Sequence, residues 1–278
     1  LITMLTVLIG TASALVFGAA DFLGGLASKR ISAVLATAVA AVTGLAVFAS
    51  ALPIVGGVWS WQAVLLGVAS GVAGAIAIGL LYACLAIGPM SILSPLTAVV
   101  SAIVPVTVGL AGGERLGPIG YLALALALVA VVLVGFVPEK HAVRPSLKGV
   151  LMAVGSGIAI GAFLIIIDAT PSDSGLVPLV VNRATNSTIM FALAGVLALL
   201  AARRGDSTPR GDWRAGLRFA VFCGVLDALA NGGLLLGLRI GELSVMAVLT
   251  ALYPAGTIIL AAIVLKERIA WLQYVGLA

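Results

Sequence analysis

The sequence predicts an all-α polytopic membrane protein, with ten transmembrane helices arranged as two inverted five-helix repeats. Three observations carry this reading. First, 62% of the 278 residues are hydrophobic, 9% are charged and the mean hydropathy is +1.28, whereas a soluble globular chain is about one quarter charged. Second, no Asp, Glu, Lys or Arg occurs between Ile31 and Gly113. No water-soluble fold covers so much apolar surface with so few polar groups. Third, one segment near the middle of the chain recurs near its end. The apolar runs are continuous rather than alternating, which excludes a lipid-facing β-barrel.

A helical span needs about 20 apolar residues. Taken in order, the runs place spans at 3–27, 32–52, 61–86, 91–112, 117–137, 149–167, 176–202, 216–238 and 243–265. Helix breakers set the cuts. Pro53 with Gly56 and Gly57 closes the second span, and Gly88-Pro89 separates the third from the fourth. Gly112-Gly113 ends the fourth, Gly117-Pro118 opens the fifth, and Pro171 and Pro178 flank the loop between the sixth and seventh. A tenth span is expected from Ile269 and reaches Ala278 at about half the needed length. The chain thus divides into a first unit at 1–138, a cytoplasmic linker at 139–148 and a second unit at 149–278 whose tenth helix is cut short.

Basic residues orient the spans, because Lys and Arg concentrate on the cytoplasmic side. The loops after spans one, five, seven and nine hold 12 of the 15, among them Lys29, Arg30, Arg203, Arg204, Arg214 and Arg218. The opposite loops hold Arg115 and Arg239. The expected protein is multi-pass in the plasma (inner) membrane, with both termini on the non-cytoplasmic side. Trp59, Trp61, Trp213 and Trp271 fall at span edges, where interfacial rings belong.

The net charge of +5 is spread as pairs and triplets flanking spans, not as a patch for nucleic acid. Cys84 and Cys223 lie inside apolar runs and read as buried thiols. No phosphate-cradling G-x-x-x-x-G-K-[ST] occurs, and the one histidine, His141, lies in a loop. No metal or other cofactor is expected. Asp21 and Asp227 sit at different depths, unlike an intramembrane protease dyad, and an enzyme is not expected.

Residues 88–121 and 241–274 match at a constant offset of 153. Gly88 falls on Gly241, Ser91 on Ser244, Leu96-Thr97-Ala98 on Leu249-Thr250-Ala251, Glu114-Arg115 on Glu267-Arg268, and Tyr121 on Tyr274. The repeated unit holds five spans. An odd number inverts the second copy, and inverted halves around a central site are characteristic of secondary transporters.

The run Tyr82-Ala-x-x-Ala86-Ile-Gly-Pro-Met-Ser91, followed by Pro95-x-Thr97-Ala98 and Gly113-Glu114-Arg115, resembles the EamA domain of the drug/metabolite transporter superfamily. Gly241-Glu-x-Ser244, Thr250-Ala251 and Lys266-Glu267-Arg268 repeat it, and Phe17-Gly18-x-x-Asp21-Phe22 also fits. The resemblance makes each unit an EamA repeat. It implies two inverted bundles of five helices and a central cavity lined mainly by the third, fourth, eighth and ninth. It further implies export of amino acids or other small metabolites.

Ionisable groups inside a membrane are costly and often functional. Asp227 lies nine residues after Arg218 and twelve before Arg239, about 13 and 18 Å along a helix. Asn231 is one turn away on the same face. The pair reads as a proton-coupling or amine-binding site, or as a neutral carboxyl tying the eighth helix to a neighbour. Arg183, with Asn182 and Asn186, lies about 30 Å from Arg203, near the outer interface. It reads as an anion clamp in an outer vestibule or as a snorkelling side chain. On this count Arg183 and Asp227 differ by about 15 Å in depth and are not expected to pair. Asp21 is expected at the cytoplasmic edge as an interfacial cap or a gate.

Tyr82, Ser91, Ser94, Thr97, Thr250 and Tyr253 are the uncharged candidates for lining the cavity, although Ser and Thr also satisfy backbone carbonyls. Pro95, Pro105 and Pro254 are expected to kink spans four and nine. Gly67-x-x-x-Gly71, Gly157-x-x-x-Gly161 and Gly233-x-x-x-Gly237 are expected to pack helices within the bundle. The expected partners are a small-molecule substrate, the lipid bilayer and protons as coupling ion. The alternatives are an uncoupled facilitator of organic cations or sugar derivatives, and a non-transporting scaffold or subunit.

Overall fold

The computed structural model describes residues 2–87, 90–135, 146–204, 212–264 and 266. The linker core, Glu267, Arg268 and the expected tenth span from Ile269 lie outside them, as do the side chains of Tyr82, Ser91, Ser94 and Pro95. The described chain is all-helical: α1 (Ile2–Ser28), α2 (Ala33–Val55), α3 (Trp61–Ile87), α4 (Met90–Ala111), α5 (Pro118–Gly135), α6 (Leu147–Asp168), α7 (Val177–Arg204), α8 (Trp213–Ile240), α9 (Leu243–Ala251) and α10 (Tyr253–Val264). A 3₁₀ turn at Ser172–Ser174 lies between α6 and α7.

Among the described residues, seven segments are long and apolar enough to cross a membrane, with α9 and α10 counted as one. The chain is therefore a multi-pass membrane protein. Side-chain caps set two helix starts at the expected places: Ser32 Oγ accepts from the Leu35 amide and Ser146 Oγ from the Gly149 amide.

The helices form a ring. Around it the order is α1, α8, α2, α7, α3, α6, α4 and then the α9–α10 pair, which returns to α1. Helices α1–α4 alternate with α6–α9 around it. Adding or subtracting five from each helix number, with α9–α10 taken as the ninth span, leaves these packing partners unchanged. Small residues permit the close crossings, as the glycine spacing predicts. A Cβ on Gly157 or Gly161 of α6 would come within 2.6 and 2.8 Å of Val100 and Val104 Cβ on α4. A Cβ on Gly71 of α3 would come within 2.8 Å of Thr185 on α7.

Span nine breaks at Leu252, just before Pro254, but α4 continues through both Pro95 and Pro105. At the break the Leu252 amide turns back to the Leu249 carbonyl, and α1 lies close against the start of α10. Thr257 Oγ1 donates there to the Gly18 carbonyl at 3.0 Å.

Two polar ties fasten one end of the ring. Glu114, in the turn after α4, accepts from the Leu243 and Ser244 amides at 2.7 and 3.1 Å and so caps α9. Arg239 near the end of α8 donates to the Thr170 and Pro171 carbonyls and to Thr170 Oγ1. At the opposite end stand Lys29, Arg30, Arg203, Arg214 and Arg218, with the Arg30 guanidinium 4.9 Å above the Phe219 ring. We call this the basic end.

Candidate functional site

Arg183 lies six residues into α7 and Asp227 fourteen into α8. Both helices pack on α2, whose Gly44 leaves a groove between them. A Cβ on Gly44 would lie 3.4 Å from Arg183 Cδ and 3.5 Å from its Nε. The arginine stem runs along this groove, and Nη2 meets Asp227 Oδ2 at 2.6 Å.

This pairing corrects the expectation that depth keeps the two apart. The sequence count took Arg218 as the edge of the eighth span, but α8 begins at Trp213, about 8 Å earlier along the helix. Counted from the helix ends, the depth difference falls to about 10 Å. The arginine stem and the aspartate side chain together bridge that distance.

Asp227 has a second partner one turn on. Asn231 Nδ2 donates to Asp227 Oδ1 at 3.2 Å and to the Asp227 carbonyl at 2.8 Å. The Arg183 and Asp227 side chains are 11% and 25% exposed, so the ion pair is largely withdrawn from solvent. Two neighbouring polar atoms, Arg183 Nε and Asn186 Oδ1, are buried with no hydrogen-bond partner among the described residues. Leaving such a group unmatched costs about 1–3 kcal/mol.

These atoms border a cavity of about 150 Å³. Asn182, Arg183 and Asn186 of α7 and Asp227 and Asn231 of α8 supply its polar wall. Phe17 of α1, Gly74, Ala77 and Ile78 of α3, and Ile160 and Phe163 of α6 supply the apolar wall. Asn182 Nδ2 is committed to Ser70 Oγ at 2.9 Å, which ties α7 to α3. The site therefore offers a fixed cation, a fixed anion, an unmatched donor and an unmatched acceptor beside two aromatic rings.

Four expected site residues, Asp227, Asn231, Arg183 and Asn186, come together here. Three do not line this cavity. Thr97 Oγ1 donates to the Leu93 and Ala153 carbonyls, and Thr250 Oγ1 to the Met246 carbonyl. Tyr253 is half-buried at the start of α10, where its carbonyl lies beside Gly18. Among the described residues the lining comes from α1, α3, α6, α7 and α8, not from α4 and α9, which pack on one another. Sequence reasoning missed Gly44, Ile78, Ile160 and Phe163. Nothing local separates them from the other glycines and apolar residues. Phe17 stands in the Phe17-Gly18-x-x-Asp21 motif, a signal that could have pointed to it.

No curated protein sequence matches this chain. A solved structure titled only as the crystal structure of a protein covers 98% of this chain and 92% of its own, with a TM-score of 0.75 and 15% identity. That likeness shows a shared fold. The model of the EamA-like transporter family matches residues 147–278. Residues 147–278 are thus an EamA domain, which places the protein in the drug/metabolite transporter superfamily.

Proposed function

We propose that the protein is a secondary transporter exporting a small zwitterionic metabolite, such as an amino acid, by alternating access. The observation that carries this is the pair of unmatched buried atoms, Arg183 Nε and Asn186 Oδ1, flanking an ion pair in a part-apolar cavity. A ligand carboxylate matches Arg183, whose planar guanidinium binds carboxylates through two parallel donors. A ligand ammonium matches Asp227 and the Asn186 carbonyl oxygen. At about 30 Å³ per water molecule, the cavity has room for about five. That scale suits a small amino acid with its side chain against Phe17 and Phe163.

Binding exchanges an internal ion pair for two bonds to the ligand. Protonation of Asp227 has the same effect on Arg183, because a neutral carboxyl no longer holds the guanidinium. Asp227 is on this reading both amine site and proton-coupling group.

Alternating access requires two halves related by inversion. The offset of 153 and the unchanged packing partners on exchanging helix n with helix n+5 both support two five-helix units, 1–138 and 149–278. The bias of Lys and Arg supports a cytoplasmic basic end and termini on the outside of the plasma membrane. Export is the direction that the resemblance to amino-acid exporters implies.

Counterflow in liposomes tests the reading. Amino acids should exchange, whereas the matching amines and carboxylic acids, each with one charge, should exchange poorly. Equal exchange of the single-charge compounds would overturn it. Asp227→Asn should abolish drive by a pH gradient while the protein still folds, and unchanged pH dependence would remove the coupling role.

A further inference from the structure

Asp21 has no part in the cavity just described, yet its placement is unusual. It belongs to the apolar segment Met4–Ser28, seven residues before the end of α1, about 10 Å from the basic end. Its side chain is exposed. A carboxylate facing hydrocarbon is costly, and intramembrane carboxylates face a bundle interior or a wet cleft.

The neighbours of Asp21 show which way its face of α1 turns. Phe17, four residues earlier, lines the substrate cavity. Gly24, three residues later, packs on α8, where its Cβ would lie 3.3 Å from Cys223 Sγ. Residues 17, 21 and 24 share one helical face, so Asp21 stands between the cavity and the Cys223 contact. Cys223 is one turn from Asp227 on α8. Gly18, on the adjacent face, touches the Tyr253 backbone at the start of α10. The other helices packed on α1 are α2 and α9, and neither carries an ionisable side chain. Beyond the end of α1 lie Lys29 and Arg30, with Arg214 and Arg218 on the first turns of α8. Asp227 is about 21 Å from the start of α8 at that same end, so Asp21 lies between it and the solvent.

We infer that Asp21 is the station through which Asp227 exchanges protons with the basic end of the bundle. Hydronium in the water at that end protonates the Asp21 carboxylate and is left as water. The resulting acid gives its proton to the Asp227 carboxylate through the cleft, and Asp21 returns to carboxylate. Asp227, now neutral, releases Arg183. The inference rests on the proposed coupling role of Asp227 but needs no ligand to test.

The full chain in liposomes is jumped to acid pH, with protons as the probe, and the carboxylic-acid carbonyl stretch is followed by time-resolved infrared spectroscopy. Asp227→Asn identifies the Asp227 band by its loss. Asp21→Asn should slow the rise of that band by about a hundredfold, as removal of a positioned proton-transfer group does, and leave its final amplitude unchanged. Asp21→Glu should restore the rate. An unchanged rate in Asp21→Asn, or the same slowing in Asp21→Glu, would overturn the inference. In the wild type, an Asp227 band that rises before the band lost in Asp21→Asn would also overturn it. Absence of an Asp227 band at any pH would remove both the station and the coupling role. Amino-acid counterflow would be unaffected by that result, which separates failure of this inference from failure of substrate recognition.

Discussion

Arg183 and Asp227 are each unfavourable alone in this interior and stable as a pair. Arg183→Ala leaves a largely buried carboxylate without its cation, and such losses cost about 3–5 kcal/mol. The partial exposure of Asp227 places this case at the lower end of that range. Denaturant unfolding in detergent measures it, and an additional Asp227→Leu change should recover much of the loss. Gly44 sets the geometry of the pair. A methyl group there would lie at ordinary contact distance from Arg183, so Gly44→Ala should be neutral. Gly44→Val adds three carbons to the groove and should displace the arginine, abolishing ligand stabilisation without unfolding the chain. Retained stabilisation in Gly44→Val would show that the arginine stem does not need this groove. At this scale the sequence was partly legible. Asp227 and Asn231 were readable because i, i+4 spacing fixes a shared helical face. The Arg183 contact was not, because it crosses a groove made by a third helix, and linear counting cannot see it.

Helices show which local signals carry through. Glycine and proline pairs marked most boundaries correctly, and Ser32 and Ser146 cap where the sequence turns polar. Proline inside a helix was less informative. Pro254 coincides with a break and Pro105 does not, because the outcome depends on what packs beside it. Glu114 stood out through its aligned Glu-Arg pair, but its partner on α9 was not readable. Glu114→Ala removes the acceptor for two amides at the α9 start and should cost about 1 kcal/mol, as loss of a helix cap does. Amide hydrogen exchange at Leu243 and Ser244 should quicken while α6 exchange stays unchanged. Equal exchange in the variant would show that α9 holds without Glu114. The Thr97 and Thr250 hydroxyls illustrate the opposite case: polar residues in a span served the backbone and not the cavity.

Across the whole molecule, composition made a multi-pass membrane protein legible from the sequence, since nothing else accommodates so little charge. The repeat was visible because charged Glu-Arg pairs are scarce enough for their alignment to stand out. The alternating ring was not visible, since packing order depends on contacts between halves. Orientation is testable directly. With Cys84 and Cys223 replaced by Ala, Ser60→Cys should react with an impermeant maleimide on intact cells and Ser32→Cys should react only after permeabilisation. The reverse pattern would invert the proposed topology.

The central claim is that Arg183, Asp227 and Asn186 form a zwitterion site, and ligand-dependent unfolding of the purified protein tests it most directly. An amino acid at a hundred times its dissociation constant should stabilise the wild type by about 2.7 kcal/mol. The same amino acid should not stabilise Arg183→Gln, and the matching single-charge amine and acid should not stabilise the wild type. Full stabilisation of Arg183→Gln, or equal stabilisation of the wild type by the amine or the acid, would contradict the account.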